Sequence, residues 1–512
     1  MLLGKYRSYG MKLLRTVALG VFCGVGVCGV AQTADAPGSV AAQALMLNGV
    51  IAEWHASADG RDYKLLKQAV DKHLTADGVL DVTGADAVAM GVPVVTLYRV
   101  TLEAKYWKAA TAIHEGLAGA KPASPEEMYF AATFLAAYAA TAHDGYAEVK
   151  QALSSADSSA WRLAALVDTL DLLPASATER GDLMAELKRA AEKTSATGVV
   201  GERLRSYALL KAVRTGLLPQ HLEAATLKSA TKLRGDAGVD VKGQDLREAG
   251  AAMLLSSELD QSATALTEQG KTVGIDTWFN SQMRKGPDGA DESFHYKWDD
   301  DANSGFSFFG RAFQRYGAQL TTVGKPTAES LKGVKVYIIA SPDIPSKNPK
   351  PNYADAADAE AITAWVNAGG VLLVMQNDGT NAEFEHFNGI TERFGIHLNA
   401  VMRNTVEGSK YEQGKVVIPA GTTGVFRDAH NAYMKEICTI STQAPAVPVL
   451  RDMLHNSGEV YMAVAKYGKG TVYAVVDPWL YNEYTDGRKL PAEWDQFAAA
   501  KDLARWALEQ SK

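Results

Sequence analysis

The sequence predicts an α + α/β chain of two domains, and a change of rhythm near Leu259 is the first observation behind that reading. Before it, alanine- and leucine-rich stretches repeat at helical spacing. After it, short apolar runs end in a carboxylate: VGID at Asp276, IIASPD at Asp343, LLVMQND at Asp378 and YAVVD at Asp477. A continuous apolar run is how a strand buried on both faces reads, and ligands of open α/β sheets sit outside the carboxyl ends of such strands. Length is the third observation. The 512 residues exceed one ordinary core, so domains over about 40–260 and 270–512 are expected.

Residues 1–31 read as a signal peptide: basic residues, then an apolar run from Val17 to Val30 that is short and glycine-rich for a membrane span, then the small residues Gly29-Val30-Ala31. Met11 is the better start, because MKLLR opens the basic region directly. Neither Cys23 nor Cys28 follows a small residue, which argues against lipid attachment. A periplasmic or secreted protein with no membrane span after cleavage is expected. Cys438 is then the only cysteine, so neither an intrachain disulfide nor a thiolate metal cluster can form. The net charge of −7 becomes −11 once Lys5, Arg7, Lys12 and Arg15 leave. An acidic chain without a basic tract is a poor nucleic-acid binder.

From Val40 to about Leu259 the elements are amphipathic helices, about eleven of ordinary length. Tyr63, Leu66, Val70 and Leu74 share one face of RDYKLLKQAVDKHL at intervals of three and four. WRLAALVDTLDLL repeats the pattern, and Ser176-Ala177-Thr178-Glu179 has the form of a capping box for the next helix. Gly216 and Pro219 close the helix through SYALLKAVRT. Strictly alternating segments are absent, so helical hairpins stacked into a ring or a curved array are expected.

Four segments taken in order, GADAVAMGVPVVTLYRVTLEAKYWKAA, SPEEMYFAATFLAAYA, AWRLAALVDTLDLLP and RSYALLKAVRTGLLP, resemble the unsaturated glucuronyl and rhamnogalacturonyl hydrolases, glycoside hydrolase families 88 and 105. The resemblance spans about Val40 to Leu259. It implies an α/α-barrel and hydrolysis of the unsaturated uronic acid that polysaccharide lyases leave behind. Within it, Asp86 matches one family aspartate, and Glu126 stands where the general acid/base aspartate is expected. Trp161 is a remnant of the sugar-holding residues. KPAS runs straight into PEEMYF and QALSSADSSAW is short, so the loops that hold a charged sugar are trimmed and the implied barrel site is degenerate. Both acids also have a plain structural reading. Ser124-Pro125-Glu126-Glu127 is a helix start with serine cap, proline at the first position and a capping-box glutamate, and Asp86 sits where the helix through AVAMGVPVV begins.

From Lys271 strand and helix signals alternate: strand KTVGID, helix FSFFGRAFQRYG, strand VKVYIIAS, helix DAADAEAITAWVNAGG, strand VLLVMQND, helix EFEHFNGITERFG. This order implies a mostly parallel sheet with helices on both faces. EVYMAVAKYGKGTVYAVVD reads as a hairpin about Gly468-Lys469-Gly470, and FAAAKDLARWAL closes the domain as a helix. HYKWDDDANSGF, WVNAGGVLLVMQND and VAKYGKGTVYAVVDPWLYNEYTDGRKL resemble the glutamine-amidotransferase-like, flavodoxin-like domains of exported carbohydrate-active proteins. An amidotransferase carries a nucleophilic cysteine on a tight turn after a strand. Gln376-Asn377-Asp378 follows VLLVM here and Cys438 lies elsewhere, so that chemistry is rejected.

The connecting segments of this half concentrate polar and aromatic residues. Candidate sugar-binding residues are Asp276, His295, Trp298, Asp299, Asn303, Asp378, Asp477 and Trp479, because carboxylates and amides bond sugar hydroxyls while aromatic faces pack on sugar rings. Asn303 or Ser304 is expected to cap the helix that follows. If the strands are parallel, the four strand-end acids share one edge, and their repulsion calls for a ligand, a cation, or Lys297 and Arg488 nearby. A concave acidic pocket is the expectation. Its oxygens could hold Ca²⁺, although the triple aspartate lacks EF-hand spacing; no other cofactor is implied. The functional expectation is an exported carbohydrate-processing protein with a degenerate barrel site, acting on an oligosaccharide or polysaccharide fragment. The alternative is a non-catalytic carbohydrate-binding or scaffold protein whose ligand site lies on the α/β domain.

Overall fold

The computed structural model describes residues 38–117, 121–154, 158–174, 176–235, 245–262, 269–453, 455–482 and 484–511. The expected leader lies outside them. The chain divides into two compact units between 263 and 264, apart from Ser57–Gly60, which cluster with the second.

The first unit is helical throughout: α1 Val40–Ser57, α2 Gly60–His73, α3 Gly84–Ala89, α4 Gly91–Thr101, α5 Ala104–Leu117, α6 Pro125–Ala142, α7 Tyr146–Ala152, α8 Ala160–Leu172, α9 Arg180–Lys193, α10 Gly198–Arg214, α11 Glu223–Gly235 and α12 Leu246–Ser262. The even-numbered helices from α4 to α12 pack each on the next, while α5, α7, α9 and α11 flank them. This is a stack of helical hairpins. Inner helices are buried nearly all round, as in α6, where Met128 to Ala137 are buried without interruption. Outer helices keep one apolar stripe; in α2, Leu65, Leu66, Ala69 and Val70 are buried. Two glycines bring the first helix back against the last. A Cβ on Gly250 would lie 2.6 Å from the Leu45 carbonyl, and one on Gly49 would lie 2.8 Å from the Met253 Cβ. The capping box expected at Ser176 does not form. The segment turns through Ala177–Glu179, and α9 begins at Arg180, whose guanidinium bonds the Leu170 and Leu173 carbonyls at 2.6 and 2.7 Å and so closes the end of α8.

The second unit is built on a nine-stranded sheet of order β4-β1-β5-β6-β13-β12-β10-β7, with β11 also on β12. Its strands are β1 Thr272–Asp276, β4 Gln319–Val323, β5 Val334–Ala340, β6 Val371–Met375, β7 Ile396–Arg403, β10 Ile437–Thr442, β11 Ala446–Arg451, β12 Val460–Tyr467 and β13 Gly470–Val475. The pairs β2 Met283–Lys285 with β3 Asp291–Ser293, and β8 Lys415–Ile418 with β9 His430–Tyr433, stand outside it. The helices are α13 Ser307–Gln314, α14 Ala356–Asn367, the short α15 Asn388–Thr391 and α16 Gln496–Gln510.

Register places helices on both faces. Tyr337, Leu372 and Val472 are aligned across β5, β6 and β13, whereas Leu373 and Tyr473 point to the other side. Trp365 of α14 meets Tyr337 at 6.2 Å, and Trp506 of α16 meets Tyr473 at 5.9 Å. Asp355 and Asp358 form a complete capping box at the start of α14. Two expectations need correction. The sheet is mixed, because the hairpin turned at Gly468 (φ +57°) hands the parallel half over to antiparallel β12, β10, β7 and β11. The helix expected over EFEHFNGITERFG shrinks to α15 and a 3-10 turn. There the Glu383 carboxylate takes the amides of His386 and Phe387 at 2.8 and 2.9 Å, and the chain before Asn388 stays a turn.

Candidate functional site

Strands β1, β5, β6 and β13 are parallel neighbours, so Asp276, Asp343, Asp378 and Asp477 all follow the carboxyl edge of the sheet. All four are buried. Each carboxylate takes hydrogen bonds from the chain around it. Asp276 accepts from the amides of Trp278 and Asn280 at 3.2 and 2.9 Å and from the Tyr337 hydroxyl at 2.8 Å. Asp343 accepts from the Ser281 amide and from Gln282 and Asn348. Asp378 accepts from the Thr380 amide and hydroxyl and from Asn381. Asp477 Oδ2 accepts from the Lys435 amide at 3.2 Å. The acids are therefore loop anchors. Burial pushes the Asp276 carboxyl up to about 6 despite Lys297 and these donors.

Lys297 is the cation of this edge. Its buried Nζ donates to Asn280 O and Oδ1 at 2.8 and 3.0 Å, to His295 O at 3.2 Å and to Asp276 O at 3.3 Å. Burial lowers it to about 8. Burial, with Lys297 beside it, lowers the His295 imidazole to about 3, and its Nδ1 lies 3.1 Å from the Gln282 side-chain oxygen. His295 and Tyr296 adopt φ of +65° and +60°, a backbone that non-glycine residues rarely take. The Arg488 guanidinium binds Asp486 at 2.6 and 2.5 Å.

The remaining candidates of this unit scatter. Trp298 donates Nε1–H to Thr321 O at 2.9 Å, with its ring among Phe306, Phe309 and Phe313. Asp299 and Asn303 are exposed. Neither Asn303 nor Ser304 caps α13, whose cap position is Phe306; the Ser304 hydroxyl donates instead to buried Asp300 at 2.8 Å. The backbone of Trp479 lies in a 3-10 turn over Pro478–Tyr481, and its side chain is outside the described residues. The Cys438 thiol is buried on β10 and pushed well up by burial, which is no nucleophile's setting. Among the described residues no group of three or more His, Cys, Asp or Glu side chains is placed to hold a metal ion.

In the first unit, Asp86 is exposed in the first turn of α3. Glu126 opens α6 and is gripped by Arg247 of α12, whose Nε and second guanidinium nitrogen donate at 2.6 and 3.0 Å. The pairing raises the Arg247 pKa. Serine 124 caps α6 through the Glu127 amide at 3.2 Å, and the Glu127 carboxylate reaches back to the Ala123 amide at 2.8 Å. Trp161 stands edge-on to buried Tyr129 at 5.7 Å. Sequence reasoning missed the buried polar centre of this unit, where Asp168 accepts from Tyr207, Lys211 and Tyr129 at 2.6, 2.9 and 3.1 Å.

It also missed a cavity of about 170 Å³ in the second unit, lined by Val406, Gly408, Tyr411, Tyr433, Lys435, Tyr484 and Lys489. The Asp477–Lys435 bond ties it to the end of β13. Tyr433 stands edge-on to Tyr484 at 4.7 Å and to Tyr411 at 5.5 Å, and burial pushes its hydroxyl up to about 12. The Lys489 ammonium lies 5.6 Å over the Tyr484 ring. Of its lining, Tyr484 and Lys489 fall in the segment VAKYGKGTVYAVVDPWLYNEYTDGRKL singled out in the sequence. Tyr433 and Lys435, two apart in an extended run, were the available signal for the rest.

No protein-family model matches the chain, and no curated protein matches it. Among solved structures, the mmIFT52 N-terminal domain shares 18% identity, with 46% of this chain and 97% of that one covered and a TM-score of 0.33. A C. acetobutylicum ATCC 824 glycoside hydrolase from family 105 shares 16%, over 43% and 93% of the two chains, with a TM-score of 0.38. A glycosyl hydrolase family 88 protein from Bacteroides vulgatus shares 12%, over 43% and 91%, with a TM-score of 0.37. All three likenesses are remote in sequence and partial in extent.

Proposed function

We propose that this chain is an exported saccharide-binding protein that has left hydrolysis behind, with a helical scaffold and a ligand site on the amidotransferase-like α/β unit. The observation that carries this reading is the grip of Arg247 on Glu126. A general acid must present an oxygen to the sugar, and both carboxylate oxygens of Glu126 are taken by the Arg247 guanidinium. Asp86, exposed in its helix turn, has a helix-start role that requires no chemistry. The sequence resemblance to uronyl hydrolases supplies the carbohydrate context.

The test is an unsaturated rhamnogalacturonan disaccharide incubated with the full chain. Ultraviolet absorbance should stay constant, while calorimetry with a panel of oligosaccharides should report binding. Turnover that disappears in Glu126→Gln would overturn the proposal and restore the barrel as an enzyme.

A further inference from the structure

We infer that the carboxyl ends of β1 and β5 form a saccharide-hydroxyl site, in which His295 Nε2 accepts a hydroxyl proton and the Lys347 ammonium donates to a ligand oxygen; this rests on the reading of the chain as a saccharide binder. Topology supplies the first argument. From β1 the chain crosses to β4 on one side and then to β5 on the other, and both pair parallel to β1. A crevice opens outside the strand ends where the order reverses in this way, and open α/β sheets bind ligands there. The loops after β1 and β5 meet at this point, where Gln282 Nε2 donates to Asp343 Oδ1 at 2.7 Å.

That bond sets the rest of the geometry. A carboxylate oxygen takes only donors, so the Gln282 amide turns its oxygen towards His295 Nδ1, 3.1 Å away. Nδ1 therefore carries the proton of the neutral ring, and Nε2 keeps a free lone pair. The ring is half-buried, Tyr296 packs on it at 4.0 Å, and among the described residues nothing bonds Nε2. Burial and the ammoniums of Lys297 and Lys347 keep the imidazole neutral, so Nε2 is a fixed acceptor in a field that opposes metal cations. The positive φ of His295 and Tyr296 is held in place by Asp300, which takes the His295 amide at 3.1 Å, and by Lys297 on the His295 carbonyl; such strain gathers at ligand sites. Asp343 anchors the donor as well. Its Oδ2 takes Asn348 Nδ2 at 3.1 Å, next in the chain to Lys347, which is exposed and without a carboxylate partner among the described residues. An acceptor and a donor fixed by the same aspartate suit neighbouring hydroxyls, each of which both gives and takes a hydrogen bond.

Nitrogen NMR on the full chain with isotope-labelled histidine, the His295 signals assigned by their loss in His295→Asn, reads the tautomer before any ligand is added. Nδ1 should carry the proton and Nε2 none from about pH 5 to 8, and Gln282→Met should spread the proton over both nitrogens. A protonated Nε2 in the unaltered chain, or titration near the ordinary value of about 6.5, overturns the inference whatever the chain binds. Calorimetry with the unsaturated rhamnogalacturonan disaccharide, xylobiose and cellobiose follows. Affinity for at least one should fall about three- to tenfold in each of His295→Asn, Gln282→Met and Lys347→Met, the worth of one hydrogen bond, and the His295 Nε2 signal should move when that sugar is added. Affinity untouched by His295→Asn places the sugar elsewhere and overturns the inference while leaving saccharide binding intact. Binding of none of these sugars and of no other oligosaccharide overturns both this inference and the saccharide reading.

Discussion

Replacing Lys297 by methionine tests whether a buried ammonium holds the carboxyl edge together. Methionine keeps the length of the side chain and removes its charge and donors. In the folded chain the lysine pKa falls from 10.5 to about 8, a burial penalty of about 3 kcal/mol on the charged form. The unfolded chain therefore binds more protons than the folded one between those values, and stability rises with pH across that window and is lowest below it. The substitution relieves this penalty but strands Asn280 O and Oδ1, His295 O and Asp276 O, which the ammonium reaches at 2.8 to 3.3 Å. A buried group deprived of its partner costs about 1–3 kcal/mol, so the net loss at pH 7 should be about 2–4 kcal/mol. Because the unaltered chain gains stability above pH 8 and the variant does not, the difference between them should widen by about 3 kcal/mol towards pH 10.5. Urea unfolding of both chains at pH 7, 9 and 10.5 reads it directly. A variant as stable as the original, or a difference constant with pH, would refute the assignment of Lys297 as the buried cation.

The acid side has its own signature. His295 is lowered from 6.5 to about 3, so it withdraws stability as pH falls through that range, while Asp276, raised from 3.8 to about 6, withdraws it as pH rises from about 4 to 6. His295→Asn tolerates the positive φ and leaves only the Asp276 effect, so thermal melts of this variant should rise as pH falls from 6 to 4, where the unaltered chain stays level or declines. Gly250→Leu would drive a side chain into the Leu45 carbonyl, where even a Cβ lies at 2.6 Å; helix separation and a loss of about 3 kcal/mol or more are expected, read by circular dichroism on melting.

What the sequence made legible was the local part of the fold. The runs ending at Asp276, Asp343, Asp378 and Asp477 are strands or strand ends because an unbroken apolar run must be buried on both faces, and α14 begins at Ala356 because its cap, Asp355, and the capping-box partner Asp358 lie within four residues. Contacts that span the chain left no such trace. Arg247 and Glu126 are 121 residues apart, and the cavity gathers Tyr411 and Lys489 from opposite ends of a 78-residue separation, so no period or spacing announces either. The strand-end acids lie between these cases. Residue type alone suits either an exposed ligand or a loop anchor, and counting charges favours the ligand because four ionised acids repel. The deciding feature is the two or three residues that follow each acid. Asp276 takes the amide of Trp278, and Asp378 takes the amide of Thr380, each two residues on, which is the Asx-turn by which an aspartate bends its own chain. Amide dipoles then do the neutralising that a ligand would otherwise do, with Lys297 completing the set. Repulsion at this edge is answered within the protein, by donors that lie close to the acids in the chain and by one buried ammonium.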